Sequence, residues 1–253
     1  MKILHIFNQG GVSSTLAPIM DENCGTVSRV VTRTALNRFR FPAEEIDKGA
    51  WGFVLNAAKI ALKADVVHVN GGIPTHNFLK KILSWKDHVM HFHGSESRGK
   101  KIEIDGSLQL YSSPDMIYSL PSSAIYLPNP VDRSIFAPQD IHGEGKAMTF
   151  SYNASDVAEE FARQRGLELT VLDRRYTWNQ IPDLFSHFEY YIDSKRMKGE
   201  LIKARSMTAL QALACGLKVI EWDGSVSSYF PEEHDALRVA FRLYDLYRGF
   251  GLA

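Results

Sequence analysis

The chain of 253 residues sets 29 lysines and arginines against 29 aspartates and glutamates, and 45% of it is hydrophobic, the make-up of a soluble globular protein with room for one large domain or two small ones. A formal net charge of zero excludes a surface that draws in nucleic acid or acidic lipid as a whole, so recognition by charge has to be local. Two distant cysteines, Cys24 and Cys215, offer neither a disulfide framework nor metal-ligand spacing, which fits a reducing cytoplasm.

The opening apolar run is too short for a signal peptide, and no later run approaches the roughly 20 apolar residues of a membrane span. Short apolar runs bounded by turn residues occur at 3–7, 27–31, 65–69, 88–92, 108–111 and 124–127, and they read as buried strands. Helix-compatible segments at 53–63 and 76–84 lie between them, so the first half is expected to be α/β with a covered parallel sheet. Around Pro128, Pro130 and Pro138 regular structure cannot persist, and a domain connection is expected there. The alternation resumes with strands at 147–152, 167–172, 188–192 and 217–222, and with helices near 156–165 and around Gln211. At the end, Leu237, Ala240, Phe241, Tyr244 and Tyr247 follow the spacing of an amphipathic helix over 232–247. The expected division is 1–138, 139–231 and a final helical segment, 232–253.

Three places carry residues suited to chemistry. After the first strand, Gly10 and Gly11 let the backbone turn tightly and approach a ligand, and Ser13 or Ser14 can cap the following helix. An ordinary strand-to-helix turn explains the same residues: the glycine spacing of a dinucleotide fingerprint is absent, and so is a phosphate-loop lysine. At the end of another strand, His91-Phe92-His93-Gly94-Ser95 points His91 and His93 to the same side. No third ligand at zinc spacing accompanies them, so His93 is read as lining the ligand crevice and His91 as structural. The stretch 194–205 carries Lys195, Arg196, Lys198, Lys203 and Arg205 against one acid, Glu200, and leads into Ser206, Met207 and Thr208, where a hydroxyl can cap a helix. A solvated loop is the plain reading. Cations converging on free amides at a helix start also suit a diphosphate.

Asn129-Pro130-Val131-Asp132 with Phe136 and Pro138, the preceding Tyr111-Ser112-Ser113-Pro114-Asp115, and the later stretch from Leu210-Gln211 through Ala214-Cys215-Gly216 to Ile220 resemble the group 1 (family 4) glycosyltransferases. The Gly10-Gly11 turn and the histidine-bearing strand end sit where that family has a glycine loop and a histidine, and the resemblance covers most of the chain. It implies a GT-B fold: two Rossmann-like domains facing across a cleft, the second holding a nucleotide-sugar donor, with a C-terminal helix crossing back to the first. It also implies sugar transfer from a nucleoside diphosphate donor, retaining and without a metal or other cofactor. The acceptor is unspecified: a glycan, a lipid-linked group or a small molecule. Nucleic acid is not an expected partner, and peripheral membrane contact is possible but not indicated by the sequence.

In residues, the resemblance places the diphosphate by Lys195, Arg196, Lys203 and Arg205 and the helix start at Ser206, Met207 and Thr208. It places the ribose by Gln211, the glycine loop at Gly10 and Gly11, and His93 beside the donor sugar or leaving group as the catalytic candidate. The chain departs from the family in having Lys203 and Gln211 where a pair of glutamates is usual, and in being shorter. A glutamine can accept from a ribose hydroxyl without charge; satisfied by backbone, it can equally be a core group. A binding protein that has lost transfer and a nucleotide-sugar epimerase are the rival readings.

Overall fold

The protein is described by a computed structural model covering residues 1–37, 39–94, 96–102, 106–173 and 175–252. Ser95 of the histidine stretch and Ala253 of the final segment lie outside the described residues. The chain forms two units, Met1–Pro130 with Ala236–Ala253, and Val131–Asp235.

In the first unit the order is β1 (Lys2–Ile6), α1 (Val12–Cys24), β2 (Val27–Arg33), β3 (Glu44–Ile46), α2 (Ala50–Ala61), β4 (Val66–Asn70), α3 (Ile73–Ile82), β5 (Asp87–Phe92), β6 (Leu108–Tyr111) and β7 (Ile125–Tyr126). The strands form one sheet in the order β3-β2-β1-β4-β5-β6-β7, every pair parallel. Parallel strands need helical crossovers, so both faces are covered and the strands read as apolar runs. On one face Leu4, Ile6, Val67, Val69, Met90 and Phe92 pack against Phe53 and Ala57 of α2 and Leu79 of α3. In α2 the buried residues Phe53, Val54, Ala57 and Ala61 recur at helical spacing, which makes that segment a helix with a core-facing stripe.

The other face is polar at its centre. His5, His68 and His91, each alternating with core residues of β1, β4 and β5, are buried with ring centroids 5.0 and 5.4 Å apart in succession. His68 Nδ1 shares a hydrogen bond with the Tyr247 hydroxyl, and His91 Nε2 meets Ser112 Oγ at 2.7 Å.

The second unit runs β8 (Lys146–Phe150), α4 (Ser155–Arg165), β9 (Glu168–Leu172), α5 (Ile181–Ser186), β10 (Tyr190–Ile192), β11 (Arg196–Met197), β12 (Glu200–Leu201), α6 (Met207–Ala214), β13 (Lys218–Ile220) and β14 (Val226–Ser227). Its five-stranded sheet has the order β14-β13-β10-β8-β9, parallel except for β14. The chain then re-enters the first unit as α7 (Ala236–Gly249), which carries Tyr247 and packs beside α1. A 3-10 turn at Glu232–His234 precedes it, so the amphipathic helix starts later than the sequence spacing suggests.

The buried imidazoles make folding sensitive to acid. Burial lowers His5 from 6.5 to about 4 and His76 to about 3, the latter helped by His88 and Lys80, and it drives His68 and His91 well below their ordinary value with the neighbouring rings adding to the effect. The unfolded chain takes up these protons near pH 6.5 while the folded one resists them, so stability is present above that pH and lost on the way down. Melting temperature is expected to fall steadily from about pH 6.5 to about pH 4. A flat profile would mean that these rings are solvated.

Candidate functional site

In the second unit the strand order reverses beside the first strand: β9 lies on one side of β8 and β10 on the other. Crossovers leave in opposite directions at such a point, and the carboxyl ends of the two strands open a crevice between them. The chain segment before α6 is tied to three strand ends around it. Ser206 N–H donates to Asp193 Oδ2 after β10 (2.7 Å), the Thr208 and Tyr152 hydroxyls meet at 3.0 Å after β8, and Arg205 Nε donates to Glu221 Oε1 after β13 (2.7 Å). Ser206 Oγ accepts from Ala209 N–H (3.1 Å) and so caps α6, as its place before an apolar helix leads one to expect.

The basic stretch, read from sequence as a loop, contains a hairpin. β11 and β12 pair antiparallel, and the turn between them places Lys198 at φ 52° and Gly199 at φ 88°, the positive angles that two-residue hairpins favour. The hairpin and its flanks distribute the cations unequally. Arg196 pairs with Asp156 at 3.0 Å, an exposed pair of the kind worth little. Lys195 stands over the Tyr152 ring at 6.0 Å and Lys203 over the Trp222 ring at 5.8 Å. Arg205 is the most committed, holding Glu221, which is only 7% exposed, and donating also to Ser227 Oγ at 3.1 Å. Removing a partner from so buried a carboxylate is costly, so Arg205 is first a structural tie.

Gln211 lies one turn into α6, on the side that carries Met207 and Thr208. It is 8% exposed. Asp193 is an unusual group: burial raises its carboxyl from 3.8 to about 6 against the pull of Ser206 and Lys195, with Glu221 adding to the rise.

The first unit has its own reversal, between β1 and β4, and glycines crowd it. Gly10 and Gly11 follow β1 at φ 59° and 81°, and a side chain on Gly11 would strike the Phe41 ring. Gly71 and Gly72 follow β4 at φ 76° and 62°. Neither Ser13 nor Ser14 caps α1. Ser13 Oγ donates to Phe7 O, and Asn8 Oδ1 accepts the Ser14 N–H (3.1 Å), closing the turn over its own helix start. His93 follows β5 on the same sheet edge, half-buried, with Nε2 3.1 Å from Asn70 Oδ1 and its ring 4.1 Å from that of His91. Its backbone N–H and that of Gly94 are both held by Glu96 Oε1. Burial lowers the imidazole to about 4 against Glu96 and Asn129, so the ring is neutral near pH 7. No group of three or more His, Cys, Asp or Glu side chains suited to a metal occurs among the described residues.

Thus Lys195, Arg196, Lys203, Arg205, Ser206, Met207, Thr208 and Gln211 gather about one strand-end crevice of the second unit, while Gly10, Gly11 and His93 share a sheet edge of the first. Tyr152, Asp193, Glu221 and Trp222 escaped the sequence reading. Their only signal is position, one or two residues past an apolar strand.

No protein-family model matches the chain, and no curated protein matches it in sequence. Among solved structures, an alpha-glucosyltransferase in complex with UDP and a 13-mer DNA containing a central A:G mismatch is similar with a TM-score of 0.55 at 12% identity, over 99% of this chain and 90% of that one. The fold is GT-B. A UDP-GlcNAc 2-epimerase from Neisseria meningitidis bound to UDP-GlcNAc gives 0.49 at 11% identity, over 98% and 92% of the two chains. The glycosyltransferase SsfS6 of Streptomyces sp. SF2575 gives 0.48 at 11% identity, over 98% and 86%. What the glucosyltransferase shares with the chain is architecture.

The tether between β10 and α6 has a pH signature opposite to that of the histidines. The native state keeps the Asp193 proton from about pH 4 to about pH 6 while the unfolded chain has lost it, so this group's contribution to stability falls as pH rises through that window. Asp193→Asn keeps an acceptor for Ser206 N–H and removes the titration. Relative to wild type in urea denaturation, the variant is expected to gain stability between about pH 4 and about pH 7. A constant difference across that range would show that Asp193 is not desolvated.

Proposed function

We propose that the protein is a glycosyltransferase that moves a sugar from a nucleoside diphosphate donor to an acceptor. The observation that carries this reading is the placement of Gln211 beside a capped helix start at the strand-order reversal of the second unit, with lysines on the flanking strand ends. The amide oxygen is suited to accept from a ribose hydroxyl, and an acceptor next to cations and helix amides is what a nucleotide needs.

The ion-pair geometry ranks the diphosphate contacts. Lys203 and Lys195, each over an aromatic ring, and Arg196, in an exposed pair, can turn to a phosphate at small cost. Arg205 positions the turn through Glu221 before it contributes charge. These cations would stabilise the departing diphosphate electrostatically, the role that a metal plays elsewhere. For the first unit we propose His93 as the catalytic group: neutral, oriented by Asn70, and suited to hydrogen-bond the donor sugar or leaving group. Gly10 and Gly11 are proposed as donor-binding through their backbone. The resemblance to group 1 glycosyltransferases supports a retaining reaction without a metal.

A second reading has a specific observation behind it. Lys203 and Gln211 stand where that group carries two glutamates, so the chain would bind a nucleotide sugar without transferring it.

UDP, which the similar glucosyltransferase is in complex with, is the first probe. Calorimetric titration is expected to show binding that a chelator leaves unchanged. Lys203→Ala should weaken UDP by about 1–3 kcal/mol and uridine little, since the lost contact is directed at phosphate. In the same titration Gln211→Glu should bind as well as wild type or better, and Gln211→Leu should lose affinity while staying folded. Equal losses of UDP and uridine, or full affinity in Gln211→Leu, would remove the nucleotide assignment. Release of UDP from UDP-sugars by wild type, abolished in His93→Ala, separates transfer from binding alone.

A further inference from the structure

The crevice of the second unit buries more negative charge than it matches. Asp193, the residue after β10, is 3% exposed; its Oδ2 accepts the Ser206 N–H at 2.7 Å, and its Oδ1 is buried with no hydrogen-bond partner among the described residues. Glu221, the residue after β13, is also buried, with Arg205 Nε on its Oε1 at 2.7 Å. The two strands are paired and Asp193 N–H donates to Ile220 O (2.9 Å), so both carboxylates leave neighbouring strand ends. The guanidinium between them is bonded to Glu221 alone. The remaining charged groups are turned to other partners: Arg196 to Asp156 at the start of α4, Lys203 to the Trp222 ring, and exposed Asp223 to Ser225. Lys195 stands over the Tyr152 ring and draws the Asp193 carboxyl down from a distance. Tyr191, beside Asp193 in β10, is a neutral phenol that burial holds well above its ordinary value.

What compensates Asp193 is therefore the positive end of α6. Ala209 N–H is taken by Ser206 Oγ and Leu210 N–H by Ser206 O, both at 3.1 Å, which leaves the Met207 and Thr208 amides at the open end of the helix. A diphosphate at those amides competes with Asp193 for the same field and brings its own negative charge up to two buried carboxylates. Like charge favours the protonated form of a carboxyl group, and Asp193 is the one of the pair with no cation bonded to it. Burial, with Glu221, has already brought this carboxyl to about 6 against Ser206 and Lys195, so a modest further push moves a proton near neutral pH.

We propose that a nucleoside diphosphate binding at the start of α6 drives a proton from solvent onto Asp193, so that affinity for the diphosphate rises as pH falls. This rests on the nucleotide reading above and adds to it a regulation of the same site. UDP sheds a phosphate proton of its own near neutral pH, so Asp193→Asn, which has no carboxyl to titrate, is the reference. In calorimetric titration the wild-type affinity for UDP, relative to that variant, is expected to fall at least about threefold from about pH 5.5 to about pH 7.5. Between buffers of different ionisation enthalpy, wild type should take up more protons per UDP bound than the variant. Uridine, without phosphate, should bind wild type equally at both pH values. A measurement on wild type alone stands beside these: the midpoint of the Asp193 side-chain carboxyl resonance, followed by carbon NMR, should rise by at least about half a pH unit when UDP is bound. Equal pH dependence in wild type and variant, or a carboxyl midpoint that UDP leaves in place, overturns the proposal while UDP binding itself upholds the nucleotide reading. A pH dependence for uridine that matches that for UDP also overturns it, since the effect would then come from folding. Failure of UDP to bind at either pH removes both.

Discussion

The turn from Arg205 to Thr208 is held by three strand ends at once, and the nucleotide site proposed for the second unit depends on that restraint. Asp193 takes the Ser206 amide, Tyr152 meets Thr208, and Glu221 binds Arg205. Together these fix where α6 begins relative to β8, β10 and β13, and therefore where Gln211 and the helix amides point. A short helix of eight residues could not set this direction alone. The arrangement has an electrostatic cost, since Asp193 and Glu221 are two buried carboxylates near each other, and Arg205 offsets only one of them. Burial and Glu221 push the Asp193 carboxyl up to about 6, against the pull of Ser206 and Lys195.

The first unit uses the same topology with different material. Its strand-order reversal is built from glycines packed against Phe7 and Phe41, which bring backbone, and not charge, to the sheet edge. Behind that edge the row of His5, His68 and His91 continues to His93, and burial keeps the rings neutral. Neutral imidazoles can be stacked closely where charged ones would repel, and this lets a polar group reach the edge from the interior of the sheet. The two units thus differ in what they present: cations and a helix start in one, glycine backbone and a neutral ring in the other.

Much of the fold is legible in the sequence, for a physical reason. Strands buried on both faces, such as β4 and β5, must be short apolar runs, so they stand out between turns. The edge strand β3 does not, because two of its three residues are glutamates facing solvent. The α3 start was misplaced because the helix opens on Gly72 in a left-handed conformation and Pro74 in its first turn, a pair that reads as a break. The β11–β12 hairpin hid within a run of cations, and only the Lys198-Gly199 pair hinted at a turn. For the site, Ser206 and Gln211 were legible as polar residues bounding or interrupting an apolar helix. Tyr152, Asp193 and Glu221 were not, since what unites them is strand order, and strand order is long-range information that no local pattern carries.

The account's central claim is that a nucleoside diphosphate is bound at the start of α6. Amide and indole resonances of the labelled protein, followed by NMR while UDP is added, address it directly. The largest shifts are expected at the amides of Ser206 to Gln211, at Lys195 and at the Trp222 indole, with uridine reproducing only the part nearest Gln211. Perturbations that leave residues 195–211 unmoved would contradict it.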